Sequence, residues 1–144
     1  MLGFTVFGTG LLALIHASVT RVESHKANQL LRAGYTYVDV RTPEEHSISH
    51  IPGSINIPYS FMSSTGMMTS NPAFVQQVQA RFPSSKQLLL VGCRTGSRSA
   101  KAVALLQQHY PNLLEHKDGF VGWTAARLPL QKGPAVADSA ARSG

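Results

Sequence analysis

Residues 18–133 predict an α/β fold built round a mainly parallel sheet. Two observations carry the prediction: strand-like runs alternate with helix-like runs along the chain, and QLLLVG (87–92) is an unbroken apolar run of the kind a strand buried on both faces needs. There is no internal repeat. SVTRV (18–22) reads as the first strand, after which Ser24 caps HKANQLLRAG, where Ala27, Leu30 and Leu31 fall at helical spacing and Gly34 supplies the stop. YTYVDV is β-branched and aromatic, a second strand ending at Asp39. Thr42 as cap and Pro43 at the first helical position then start a short helix in RTPEEHS. GSINIP, bounded by Gly53 and Pro58, is a third strand. SFMSSTGMMTSNP reads as a loop with two turn signals, leading to AFVQQVQARF, where Phe74, Val75, Val78 and Phe82 mark one helical face. After QLLLVG, the segment SRSAKAVALLQQHY is a helix with Ala100, Val103, Ala104, Leu105 and Leu106 inward and Lys101, Gln107 and Gln108 outward. NLLEHKDGF closes the pattern with a short strand and a turn.

Composition bounds the function. A chain of 144 residues, 43% hydrophobic and 14% charged, is one globular domain with a real core. Thirteen Lys plus Arg against seven Asp plus Glu favour an anionic partner. These cations are scattered, with no dense block and no aromatic interleaving, which argues against nucleic acid. The one cysteine, Cys93, cannot form an internal disulfide, and the histidines lack the paired spacing of a zinc site, so neither metal nor cofactor is expected. His46 and His50, four apart, are separated from a common helix face by Pro52 and read as surface or hydrogen-bonding residues. A persistent free thiol points to a reducing compartment, the cytoplasm or an organelle stroma, over an oxidising secretory one. Residues 1–17 carry no Lys, Arg, Asp or Glu and form an extension whose readings are targeting, membrane attachment or a disordered terminus; membrane contact is the weakest of these. Residues 134–144 are small and polar and read as a disordered tail.

Cys93 lies just past the carboxyl end of the buried strand, and the following helix points its N-terminus back at it, which is where open α/β sheets place their crevices. The loop CRTGSR is short, and Gly96 is free to take a positive φ, so its backbone N–H groups can surround one point as an anion nest. That nest, the helix dipole and the charges of Arg94 and Arg98 all favour a thiolate. Inert packing of Cys93 would not call for a polar, glycine-containing, doubly basic loop behind it.

These residues resemble the single-domain rhodaneses, sulfurtransferases whose loop reads Cys, four residues, Arg, then Ser or Thr: here CRTGSRS. YVDVRTPEEHSISHIPGSINIPY is a long gapless match, DGFVGW matches a Gly-Gly-x-x-x-Trp turn with Asp118 at the first glycine, and RLPLQKG fits the usual end. The likeness runs from about Val19 to Gly133 and is nearest the short plant-type enzymes. It implies a three-layer fold and a Cys93 persulfide that moves sulfane sulfur from thiosulfate or a persulfide donor to cyanide or to a thiol such as glutathione or thioredoxin. It also implies a loop, Arg94, Thr95, Gly96, Ser97, Arg98 and Ser99, that holds the sulfur with its amides from Arg94 to Arg98 while Arg98 braces it. Behind the loop Asp39 would orient Arg98 or the loop itself, and Arg41 would pair with an acid such as Glu45; the equal alternative is that Asp39 and Arg41 form a structural ion pair at the sheet edge. Tyr59 either lines the pocket or only covers the sheet, Trp123 packs the last helix against the sheet or borders the pocket, and Met62, Met67 and Met68 are either loop filler or a soft rim for an acceptor. The chain is expected to act as a monomer. Tandem-domain thiosulfate enzymes carry basic residues where this chain has Thr95 and Glu45, which turns attention to persulfide donors and thiol acceptors.

Two other classes compete. A phosphatase of this fold spaces Cys and Arg by five residues, whereas four lie between Cys93 and Arg98, and the loop offers no acid for a leaving alcohol. A glutathione-dependent arsenate reductase, known among plant relatives of this type, could use the same cysteine. A non-catalytic sulfur carrier or docking module is disfavoured by the intact loop.

Overall fold

The computed structural model describes residues 18–135; the expectations for residues 1–17 and for the tail from 136 onward lie outside the described residues. Five parallel strands form the central sheet in the order β1–β8–β7–β2–β4: β1 (Thr20–Val22), β2 (Thr36–Asp39), β4 (Ile55–Asn56), β7 (Leu89–Gly92) and β8 (Leu114–His116). Between them run α1 (Ser24–Arg32), α2 (Pro43–Ile48), α3 (Phe74–Arg81), α4 (Ser97–Leu106) and α5 (Gly119–Ala125). Two small antiparallel pairs complete the domain: β3 (Ser49–His50) with β9 (Gln131–Lys132), and β5 (Ser60–Met62) with β6 (Met68–Ser70).

Alternation along the strands divides the core. Val38, Val40, Leu89, Val91 and Cys93 pack with Phe74, Val78 and Phe82 of the α3 region and with Ala102, Val103 and Leu106 of α4. Tyr37 and Leu90 face the opposite way, onto Ala27 of α1, Trp123 of α5 and Ile51. The sheet is thus covered on both faces, and β7 is buried at every residue, as its apolar run requires. Among the described residues, no helix is long and apolar enough to cross a membrane.

Several local expectations need correction. The cap of α1 is Glu23, whose carboxylate accepts from the amides of His25 and Lys26, while Ser24 is the first helical residue and is buried. The stretch read as a loop after Tyr59 is the β5–β6 hairpin, pinned by Ser63 N donating to Met67 O at 2.7 Å. The inward face of α4 is Ser99, Ala102, Val103 and Leu106, whereas Ala100, Ala104 and Leu105 face solvent. One hundred degrees per residue allows a single apolar stripe, and the small alanines gave no size signal to choose between stripes. Of the two readings for His46 and His50, surface or hydrogen-bonding, the structure has the second. Both are buried and their rings stack with centroids 4.1 Å apart; His46 Nε2 meets Ser54 Oγ, and His50 Nδ1 lies 3.0 Å from the carbonyl oxygen of His46. Burial holds the His46 imidazole below its ordinary pKa.

Candidate active site

Cys93 follows β7, the middle strand, at the carboxyl edge of the sheet, and is 1% exposed. Its sulfur receives the amide of Gly96 at 3.1 Å and the amide of Ser99 at 3.3 Å, and lies 3.5 Å from Ser99 Oγ. Gly96 makes this possible. Its φ of +106° turns the chain sharply into α4, and a Cβ there would stand 2.9 Å from the carbonyl oxygen of Lys117. The outward carbonyls are satisfied by the opposite segment: Phe120 N donates to Cys93 O at 2.8 Å, and Val121 N donates to Arg94 O at 3.1 Å. That close approach requires Gly119, where a Cβ would come within 2.7 Å of Cys93 O. With carbonyls drawn to α5, the loop's N–H groups are left to face the sulfur.

The sequence placed the sulfur's amide donors between Arg94 and Arg98; Gly96 belongs to that stretch, and Ser99 lies one residue beyond it. Arg94, Thr95 and Ser97 are exposed, and Arg94 and Ser97 border the cavity above the loop.

Of the readings for Asp39 and Arg41, the structure has the ion pair at the sheet edge. Asp39 does not reach Arg98. It is held by Arg41, which donates from Nη2 at 2.8 Å and Nε at 3.0 Å, and this pair is buried. Arg41 also donates to Ser49 O at 2.7 Å and lies 3.9 Å above the Phe120 ring. Glu45 pairs instead with Arg98, through contacts of 2.6 and 3.0 Å that form a two-pronged brace from α2 to α4. Thr42 and Glu45 form a capping box that orients the carboxylate. Burial acts to raise the Glu45 carboxyl, but the hydrogen bonds from Arg98 and Thr42 prevail and hold it below its usual value. The Glu45 hydrogen bond in turn raises Arg98 above the ordinary arginine value.

Above the loop opens a cavity of about 570 Å³, bordered by Tyr59, Met62, Met68, Arg94, Arg98 and Lys101, among others. Tyr59 borders this cavity, its ring edge-on to Phe74. Trp123 has the packing place: it is 1% exposed in the core with its Nε1 donating to Pro129 O, and the cavity lining does not include it. Met62 and Met68 stand on the hairpin, exposed at the rim. Lys101 escaped the sequence reading as a site residue, although its position three after Arg98 on one helix was the available signal.

Two residues with no such signal lie beneath the sulfur. Glu115, 2% exposed, takes the Ser99 hydroxyl at 3.0 Å and Arg21 Nε at 3.1 Å. On the other sheet face His116 joins Tyr37 Oη at 2.8 Å and Ser24 Oγ at 2.9 Å, and Asp118 accepts from the Ser24 amide. Burial lowers the His116 pKa to about 4 and pushes the Tyr37 phenol well above its ordinary value.

Comparison with known proteins identifies the family and the fold. The family model for the rhodanese-like domain matches residues 23–126. Thiosulfate sulfurtransferase 16, chloroplastic, of Arabidopsis thaliana is 41% identical over 106 residues, which cover 73% of this chain and 87% of that protein. Rhodanese-like domain-containing protein 15, chloroplastic, of the same plant is 37% identical, with 78% of this chain and 62% of that protein covered. The senescence-associated protein DIN1 of Raphanus sativus is also 37% identical, and the chain spans only about three fifths of the length of these last two relatives. The crystal structure of Rv0390 from M. tuberculosis shares the fold, with a TM-score of 0.68 at 21% identity over 81% of this chain and all of that one. By its family match, its central parallel sheet and its cysteine loop, this chain belongs to the rhodanese family.

Proposed function

We propose that this chain is a sulfurtransferase that carries sulfane sulfur on Cys93. The observation that carries the reading is a single cysteine sulfur held by two backbone amides within a loop whose Arg94, Ser97 and Arg98 border a cavity. In the first step the Cys93 thiolate attacks the outer sulfur of thiosulfate; the thiosulfate S–S bond breaks and sulfite leaves with its electron pair. The loop amides stabilise the charge on the resulting persulfide. In the second step cyanide or a thiolate attacks the outer sulfur, and Cys93 departs as the thiolate. The lone cysteine supports this two-step course, since no second thiol stands in the chain to discharge the persulfide early.

A thiol acceptor, glutathione or thioredoxin, fits the cations and methionines of the cavity rim, and the protein acts as a monomer. Two relatives whose names include chloroplastic support a plastid over the cytoplasm as its reducing compartment.

Intact mass measured before and after thiosulfate, and repeated with Cys93→Ser, tests the reading. The expected result is a gain of about 32 Da on the wild type alone, removed by cyanide or dithiothreitol; sulfinic acid has the same mass but resists both. If neither thiosulfate nor a persulfide donor leaves a reversible adduct, sulfur transfer is wrong, and arsenate reduction with glutathione is the reaction to assay.

A further inference from the structure

Ser99 has one hydroxyl proton and two acceptors for it, Gly96 O at 3.1 Å and Glu115 Oε1 at 3.0 Å. A carboxylate is the stronger acceptor, so the proton lies toward Glu115 and the oxygen turns a lone pair to Cys93. This suits an S–H donor, which is the sense of the 3.5 Å contact from Cys93 to Ser99. For a thiolate it is the wrong sense: the two amides reach the sulfur, but the hydroxyl that would be its third donor is withheld. Glu115 reaches Ser99 because β8 pairs with β7 in a register that sets it beside Val91, on the face Cys93 shares. Its other oxygen is held by Arg21, a residue of β1 whose side chain is 54% exposed and whose guanidinium runs past Gly96.

We infer that Arg21 and Glu115 are positioning residues that set the protonation of Cys93 through the Ser99 hydroxyl, with Glu115 holding the hydroxyl off the sulfur and Arg21 weakening that hold. The inference deepens the sulfurtransferase reading by naming what tunes its nucleophile. The other charged and titratable groups near the sulfur are Arg94 and Arg98 of the loop, Glu45 behind Arg98, the Asp39–Arg41 pair, and, from the opposite face of the sheet, Tyr37. Glu45, Asp39 and Glu115 each pair with an arginine, and of the three Glu115 is the one joined to the sulfur through a hydroxyl, that of Ser99.

The test is a pH titration of thiolate ultraviolet absorbance, with Cys93→Ser as the blank. It requires no sulfur transfer, so it stands or falls apart from the persulfide experiment. Glu115→Gln replaces the carboxylate by a weaker, neutral acceptor, loosens its hold on the hydroxyl and should move the midpoint down by about one pH unit, the effect of a near charge. Arg21→Ala should move it up by about half a unit, and Arg21→Lys should restore most of the shift. Both shifts should shrink by more than half in a Ser99→Ala background. Shifts that persist undiminished without Ser99 would mean that the charges act through space, and no shift in Arg21→Ala would mean that they do not act at all; either overturns the inference. Should Glu115→Gln fail to fold, the surface variant Arg21→Ala, with and without Ser99, decides.

Discussion

Two polar networks near the Cys93 loop are held by different means. On the side of β2 and α2 the partners are charged, Asp39 with Arg41 and Glu45 with Arg98. On the side of α1 and β8 Tyr37, His116 and Ser24 form a buried chain of uncharged groups that ends at the Asp118 carboxylate, while the loop's own contact to β8 is the charged Glu115, paired with Arg21. A buried charged pair is costly to leave half-made, whereas a buried neutral relay is costly to charge. The first side should therefore be vulnerable to substitution and the second to acid.

The largest effect should come from Asp39→Asn. It leaves Arg41, 3% exposed, as a buried cation without its counter-charge, and should cost about 3–5 kcal/mol in urea unfolding. A loss below about 1 kcal/mol would break the comparison on its charged side.

Acid should act next, through His116. The unfolded chain takes up a proton there near 6.5, while the folded chain does so only at about 4. Between those values the unfolded state holds more protons. The stability is complete above 6.5 and is lost as pH falls toward 4, by up to about 3 kcal/mol. His46 is lowered in the same direction and adds to the slope. Unfolding free energies measured from pH 7 to pH 4 should fall less steeply in His116→Gln; equal slopes would show that the relay does not resist protonation.

Ser24→Ala sharpens the same point. It removes the partner of His116 Nε2 without altering any charge, and should cost about 1–2 kcal/mol at neutral pH. A neutral result would mean that the Tyr37 contact alone suffices.

The smallest change in stability should be that of Glu45→Gln. The Glu45 and Arg98 side chains are 29% and 19% exposed, so the pair contributes about 1 kcal/mol or less. Sulfur transfer should nevertheless fall about tenfold, because the loop loses its brace and the sulfur its placement. Activity lost in proportion to stability would remove the distinction between a brace and a structural pair.

Much of this was legible in short segments. The strand QLLLVG, the Thr42–Pro43 helix start and the left-handed Gly96 each follow from local chemistry, and each is where the sequence put it. The pairing of charges was not legible. Asp39, Arg41, Glu45 and Arg98 were all marked as interacting, but which acid meets which arginine was left open, since a guanidinium on a long stem can reach any of several acids and only the angle between α2 and α4 selects one. Glu115 and Arg21 were missed because 94 residues separate them and nothing local distinguishes them from solvated charges. The hairpin β5–β6 was missed because turn residues outnumber strand residues in it, and its pairing is made across the turn rather than within a period.

By itself, then, the sequence determined the α/β alternation, the sulfur at the end of a buried strand, and a loop able to aim amides at it, because periodicity, capping and glycine chemistry act over a few residues. Only the tertiary structure decided which acid meets which arginine, which histidines are buried, and that Glu115 stands behind Ser99. These depend on strand register and helix placement, which bring distant residues within 3 Å of one another and which no local pattern encodes.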